Sequence, residues 1–190
     1  MPPARALLRI GTLCDATQAL GWLPLQAGSF DAVVCGAYKW LMSPRGSAFL
    51  TISDRLLERV VPHSAGWYAG EDVHGSYFGP PLRLASSARK LDLSPAWFSW
   101  VGTAPALELV EQIGVCAIHD HNLALSNRFR AGLGLEPSNS AIVSAELPGA
   151  AERLQNAGII AAMRGGRLRT SWHVYNSEDD VDQVLDALSG

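Results

Sequence analysis

The stretch Leu13-Cys-Asp-Ala-Thr-Gln-Ala-Leu-Gly21, followed by Phe30-Asp-Ala-Val-Val-Cys-Gly-Ala-Tyr-Lys-Trp-Leu-Met-Ser-Pro-Arg-Gly46, governs how the rest of the chain reads. Each half opens on a short apolar run, Leu7 to Cys14 and Phe30 to Cys35, and breaks into polar and glycine residues. That is the pattern of a strand feeding a loop. A third run, Gly46 to Ile52, follows directly. Runs this short, without strict alternation, suit strands buried on both faces, although a buried helix has the same periodicity. Asp15, Gln18, Tyr38 and Lys39 therefore stand at strand ends, where α/β sheets place ligands.

The residue types at those ends carry chemistry. An amine in a desolvated pocket has a lowered pKa and reacts with carbonyl groups, so a lysine directly behind an apolar strand is a candidate Schiff-base former. An upstream carboxylate such as Asp15 can pair with the protonated ring nitrogen of a carbonyl cofactor and keep that ring an electron sink. Each residue alone has a plainer role: aspartates commonly form turns, and a single lysine is commonly a solvated charge.

Reading outward, Ser53 is placed to cap a short helix from Asp54 to Val60. Residues 61–95 are rich in Gly, Pro, Ser and aromatics, and a loop of that length is functional or covered by a partner surface. Ser94-Pro95 predicts a helix start with Ser94 as cap. The helical pattern continues through Trp97, Trp100, Val101, Leu107, Val110, Ile113, Ala117 and Ile118 toward Phe129, with Gly114 as a kink. After the breaker Gly132-Leu-Gly-Leu-Glu-Pro137 the pattern becomes compact. It runs as strand Ser140 to Leu147, helix Gly149 to Ala157, strand Ile159 to Met163, turn Gly165-Gly166, strand Leu168 to Val174, and helix Ser177 to Leu188 capped by Ser177. The expected architecture is α/β, with a larger domain over residues 1–132 that includes the long helix, and a small α+β domain over 133–190.

Composition narrows the class. With 48% hydrophobic and 17% charged residues in 190, the chain buries a sizeable core and is not disordered. No apolar run reaches membrane-spanning length, and Met-Pro-Pro-Ala-Arg5 lacks the apolar centre of a secretory signal, so the expected compartment is the cytoplasm. Net charge is −3, which gives no electrostatic reason to expect nucleic acid or an acidic membrane as partner. Cys14, Cys35 and Cys116 are odd in number and widely spaced, against a disulfide framework or a zinc ribbon. His119 and His121, two apart on a predicted helix, point to different sides, so no metal is expected there; they read as surface histidines beside a partly buried Cys116. Trp67-Tyr68 and Trp97-Phe98 read as core or interface packing. No G-x-G-x-x-G follows a strand, which leaves a nicotinamide site without support.

The opening stretch resembles the cofactor segment of class V aminotransferases, fold-type I pyridoxal phosphate enzymes. A second segment, Gly166-Arg-Leu-Arg-Thr-Ser-Trp-His-Val-Tyr-Asn176 before an acidic helix, resembles the same family in the right order. The resemblance implies the C-terminal part of the aspartate aminotransferase-like large domain, followed by the small α+β domain. It implies pyridoxal 5′-phosphate as cofactor, an amino acid as small-molecule substrate, and a homodimer. Carried onto this sequence, Lys39 forms the Schiff base and moves the substrate proton, Asp15 pairs with the pyridinium nitrogen, and Gln18 hydrogen-bonds the phenolic oxygen. Tyr38 contacts the phosphate, as in kynureninase-like members, and Arg169 binds the substrate carboxylate. Many relatives have Ser three residues before the lysine and His immediately before it; Gly36 and Tyr38 stand there in this sequence, so one phosphate ligand is lost. Ser94 falls near where the family offers a phosphate contact to the other subunit.

Within the family, no cysteine follows Cys116, which disfavours persulfide chemistry. Transamination, racemisation or epimerisation, and kynureninase-type cleavage all share Lys39, and the texture is closest to transaminase and epimerase-like members. Family members carry a long segment before the aspartate, whereas only fourteen residues precede Asp15, so the chain reads as the C-terminal part of such an enzyme. The alternative is a catalytically incomplete fragment that serves as a binding or dimerisation module.

Overall fold

The structure, a computed structural model, describes residues 11–189. The beginning of the expected strand from Leu7 lies outside the described residues. Contacts divide the chain into two units, one made of Leu25–Glu111 with the segment ending at Leu20, the other of Gln112 onward with Gly21–Pro24.

In the first unit, β1 (Leu13–Asp15), β2 (Ala32–Gly36) and β3 (Ala48–Ile52) form a sheet in the order β1-β2-β3. β1 and β2 run parallel with Asp15 opposite Val34, and β3 returns antiparallel with Ala48 opposite Gly36. β2 is central and carries the buried Ala32, Val33 and Cys35, as its unbroken apolar run predicts. Asp31, at the entry to β2, ties the three strands at one end. Its carboxylate accepts from Thr12 N–H at 2.9 Å and Ser53 Oγ at 3.4 Å, and it pairs with Arg55. The Thr12 amide, followed by the Arg55 guanidinium, pulls the Asp31 carboxyl down to about 2.

Short α1 (Asp54–Leu57) follows β3, and residues 61–95 are ordered by local turns. Arg89 gathers that segment, donating to the carbonyls of Gly70 at 2.7 Å and Glu71 at 3.1 Å. Helix α2 (Trp97–Ile113) does not begin on a Ser94 cap. The Ala96 carbonyl accepts the first helical bond, from Trp100 N–H at 3.2 Å. Pro95 enforces extended backbone on Ser94, so serine and proline both lie ahead of the helix.

Gly114, at φ +85°, ends α2 outright and separates it from α3 (Val115–Gly132). The expected boundary after Gly132 therefore differs from the division in contacts, which falls between Glu111 and Gln112. Ile118, Leu125 and Phe129 of α3 are buried in the second unit, and a Cβ on Gly132 would collide with the Leu185 side chain. Helical periodicity identified the apolar face of α3 without saying which core it joins.

The second unit has an antiparallel sheet in the order β4-β6-β5, from β4 (Ile142–Ala145), β5 (Ala162–Arg164) and β6 (Arg167–Ser171). Helix α4 (Ala150–Asn156) connects β4 to β5, and α5 (Glu178–Ser189) ends the unit. Its core joins Leu125, Phe129, Val143, Leu154, Leu168, Trp172 and Val181, with the Phe129 and Trp172 rings 5.4 Å apart. Ser177 caps α5 reciprocally, accepting from Asp180 N–H at 3.3 Å while the Asp180 carboxylate accepts from Ser177 N–H at 2.9 Å. β4 begins two residues later than the expected run, where Ser140 Oγ takes the Ile142 N–H at 3.1 Å in a local turn, and ends at Ala145. Among the described residues, no single helix is long and apolar enough to cross a membrane.

Candidate active site

Because β1 and β2 are parallel, Asp15 and Gly36, their last residues, end on the same edge of the sheet. After Asp15 the chain turns at once, with Leu20 N–H donating to the Ala16 carbonyl at 2.8 Å. Thr17 and Gln18 lie in that turn. After Gly36 a second tight loop forms: Ser43 N–H reaches the Ala37 carbonyl at 3.1 Å, and Met42 N–H reaches that of Lys39 at 2.9 Å. Met42 takes a φ of +56°, and Ala37, Trp40, Leu41 and Ser43 are buried, so Lys39 sits in a turn anchored on both sides. The Ser99 hydroxyl braces the loop by donating to the Arg45 carbonyl at 2.6 Å. Thr103 donates to the Ser99 carbonyl at 2.7 Å, leaving its oxygen to accept from Ser47 at 2.8 Å.

The structure brings Asp15, Gln18, Tyr38 and Lys39 to this edge. Asp15 accepts from Thr17 N–H at 2.9 Å. The Thr17 side chain, its amide and the Lys39 charge hold the Asp15 carboxyl below the usual carboxylate value, against an opposing desolvation. Burial, together with the Asp15 charge, pushes the Cys35 thiol up. Trp40, beside Lys39, donates its indole N–H to Gln18 Oε1 at 3.2 Å. Over the half-exposed Tyr38 ring lies the Arg45 guanidinium, 4.4 Å from the centroid, with Lys39 Nζ at 5.6 Å. The sequence holds one other lysine, Lys90, whose amine donates to the Leu57 carbonyl.

Three neighbours of the site, Thr17, Trp40 and Arg45, escaped sequence reasoning. Their signal was position alone: Thr17 lies inside the Asp15-x-x-Gln18 spacing, Trp40 follows the lysine, and Arg45 sits in the Pro-Arg-Gly turn.

Arg169 belongs to the second unit, on central β6 between Ser144 and Ala162. It alternates with the buried Leu168 and Thr170 and so lies on the opposite face of the sheet. Arg167 is engaged by the Ser144 carbonyl and Glu146, whereas no hydrogen bond or ion pair reaches Arg169 among the described residues. In the same unit, His119 is half-buried and stacked on Trp22 at 5.6 Å, and His121 Nε2 donates to the Asn176 carbonyl at 3.0 Å. Cys116 is exposed rather than partly buried, on the face of α3 away from its core. No group of three His, Cys, Asp or Glu side chains among the described residues could hold a metal ion.

A cleft of about 1030 Å³ opens in the first unit, lined by Phe49, Tyr68, Arg89, Leu93, Trp97 and Trp100 together with Cys35 and Gly36. It borders the edge that carries the charged residues but includes none of Asp15, Gln18, Tyr38 and Lys39. Charge and hydrogen bonding, rather than volume, mark the site.

The fold is that of the fold-type I pyridoxal phosphate enzymes. Residues 4–151 match the model of the family described as aminotransferase class-V, and the chain belongs to that family. It is 27% identical over 191 residues to the uncharacterized aminotransferase YcbU of Bacillus subtilis (strain 168), covering 92% of this chain and 50% of the relative. It is also 27% identical over 214 residues to isopenicillin N epimerase of Streptomyces clavuligerus, covering 94% and 52%. Among solved structures, the apo cysteine desulfurase from Thermococcus onnurineus NA1 superposes with a TM-score of 0.79 at 23% identity, covering 93% of this chain and 51% of that one. The chain thus spans about half the length of the relatives it matches.

Proposed function

We propose that the chain supplies the Schiff-base lysine and ring-nitrogen carboxylate of a pyridoxal phosphate-dependent enzyme acting on an amino acid, as a transaminase or an epimerase. The observation that carries this reading is that two parallel strands end together, which brings the Asp15 carboxylate and the Tyr38-Lys39 turn to one edge of the sheet. The donor set fits pyridoxal phosphate: a carboxylate for a protonated pyridine, an amine for an aldehyde, an amide for a phenolic oxygen, and the Tyr38 hydroxyl with the Arg45 cation for a phosphate. Gly36 fits as well, since a Cβ there would lie 3.1 Å from Tyr38 Cε1.

When bound, the cofactor supplies an electron sink for the charge left as the amino acid loses its α-proton. Asp15 keeps the ring nitrogen protonated, because a carboxylate held ionised stabilises the adjacent cation. Lys39 Nζ is the amine that would hold the cofactor's aldehyde and would serve as the base that moves the substrate α-proton. Gln18 orients the phenolic oxygen, and Tyr38 with Arg45 takes the phosphate charge. The unengaged Arg169 guanidinium receives the substrate carboxylate as a bidentate fork. A cytoplasmic homodimer completes the proposal; Trp97 at 63% exposure and Phe98 at 94% support a partner surface.

Titrating purified protein with pyridoxal phosphate tests the proposal. A lysine-bound visible band, absent in Lys39→Ala, is expected, and no band at saturating cofactor overturns the enzyme reading. The same exposed aromatics favour a second reading, a dimerisation module without cofactor chemistry, which predicts a dimer and no band.

A further inference from the structure

We propose that Thr17 is a positioning residue that clamps the ends of β1 and β2 and thereby fixes the Asp15 carboxylate. Thr17 reaches both strand ends. Thr17 Oγ1 accepts the Gly36 N–H at 3.0 Å, which ties the end of β2 to the turn after β1 and leaves the hydroxyl proton available to the neighbouring Asp15 carboxylate. The Thr17 amide adds a second donor to Asp15 Oδ1 at 2.9 Å. An amide donor and a hydroxyl held in place by Gly36, both from one residue, thus face a carboxylate that is otherwise exposed.

The clamp also reaches the lysine side of the edge. A Cβ on Gly36 would lie 3.5 Å from Thr17 Cγ2, so the threonine methyl packs where the second strand ends and the Tyr38-Lys39 turn begins. The charged and titratable groups that face Asp15 are Lys39, whose cation favours the ionised carboxylate, and the Cys35 thiol, whose ionisation Asp15 opposes. Without the Thr17 hydroxyl, the residue-17 amide and the Lys39 charge would still hold the carboxylate, but the link from its turn to the Gly36 end of β2 would be gone. The proposal rests on Asp15 as partner of the ring nitrogen, but its test does not need the cofactor.

The experiment follows the Asp15 carboxyl carbon by NMR through an acid titration of the full chain without cofactor, in the natural protein, Thr17→Val and Thr17→Ser. Valine keeps the shape and removes the hydroxyl, while serine keeps the hydroxyl. Expected are a midpoint below 3.8 in the natural protein, a shift up toward 3.8 in Thr17→Val, and recovery in Thr17→Ser. A Thr17→Val midpoint equal to the natural one, or no recovery in Thr17→Ser, overturns the clamp. Should Thr17→Val not fold, a Thr17→Ser midpoint at or above 3.8 overturns it and a retained low midpoint supports it. If the midpoints move as expected and pyridoxal phosphate gives no band with any of the three proteins, the clamp stands and the cofactor reading fails.

Discussion

Trp40 donates its indole N–H to Gln18 Oε1 at 3.2 Å, a bond between residues 22 apart in sequence that joins the turn after β1 to the turn after β2. It ties the neighbour of Lys39 to the second polar residue of the Asp15 turn, and Trp40 itself is 4% exposed. Trp40→Phe removes the donor and part of the buried ring. The expected loss is about 1–3 kcal/mol of stability in urea unfolding, from one hydrogen bond and a partial cavity. Cofactor affinity should fall as well, because Gln18 loses a fixed orientation; a titration with pyridoxal phosphate reads that change.

Acid should weaken the first unit through Asp31. Its folded carboxyl titrates at about 2 against an ordinary 3.8, so the folded state binds that proton less readily than the unfolded chain. The stabilisation is complete above the ordinary value and is lost as the pH falls through the folded one. Asp31→Asn keeps an acceptor for Thr12 but cannot ionise. Urea midpoints measured down this acid range should fall less steeply for Asp31→Asn than for the natural protein. Asp15, Asp180 and Asp182, also held low by hydrogen bonds, leave a residual slope in both.

The strand ends were legible because apolar runs and polar breaks report burial directly: β2 and the Asp15 and Lys39 turns follow from them. The capped start of α5 was legible for a similar reason, since Ser177 and Asp180 are local partners. The fate of α3 was not, because an apolar stripe does not name the core that covers it, and Gly114 ends a helix through a backbone angle that sequence leaves open. Ser94 misled because a cap depends on which carbonyl begins the helix. Thr17 was overlooked since its role depends on the Gly36 amide, 19 residues away and adjacent only after β1 and β2 pair.

Phe129, 1% exposed, links α3 to Trp172 in the core of the second unit. Phe129→Ala should cost about 3–5 kcal/mol, as expected for a large ring removed from a packed interior. Urea unfolding followed by Trp172 fluorescence checks this, and a loss below about 1 kcal/mol would mean that α3 does not pack there.

Arg169 should act on substrate alone. Arg169→Leu is expected to weaken amino-acid binding to the cofactor-loaded protein about tenfold or more, the worth of a charge-assisted pair. The cofactor band itself should stay in place. Arg169→Lys should recover little, because an ammonium lacks the planar fork. Spectral titration with amino acids separates these outcomes.

Lys39 is the residue proposed to hold the cofactor, and a chain with two lysines permits a direct decision. Purified protein is incubated with pyridoxal phosphate, reduced with borohydride, digested and mapped by mass spectrometry. One stable cofactor adduct is expected, on the peptide containing Lys39, at full occupancy. An adduct on Lys90, or none at saturating cofactor, would contradict it.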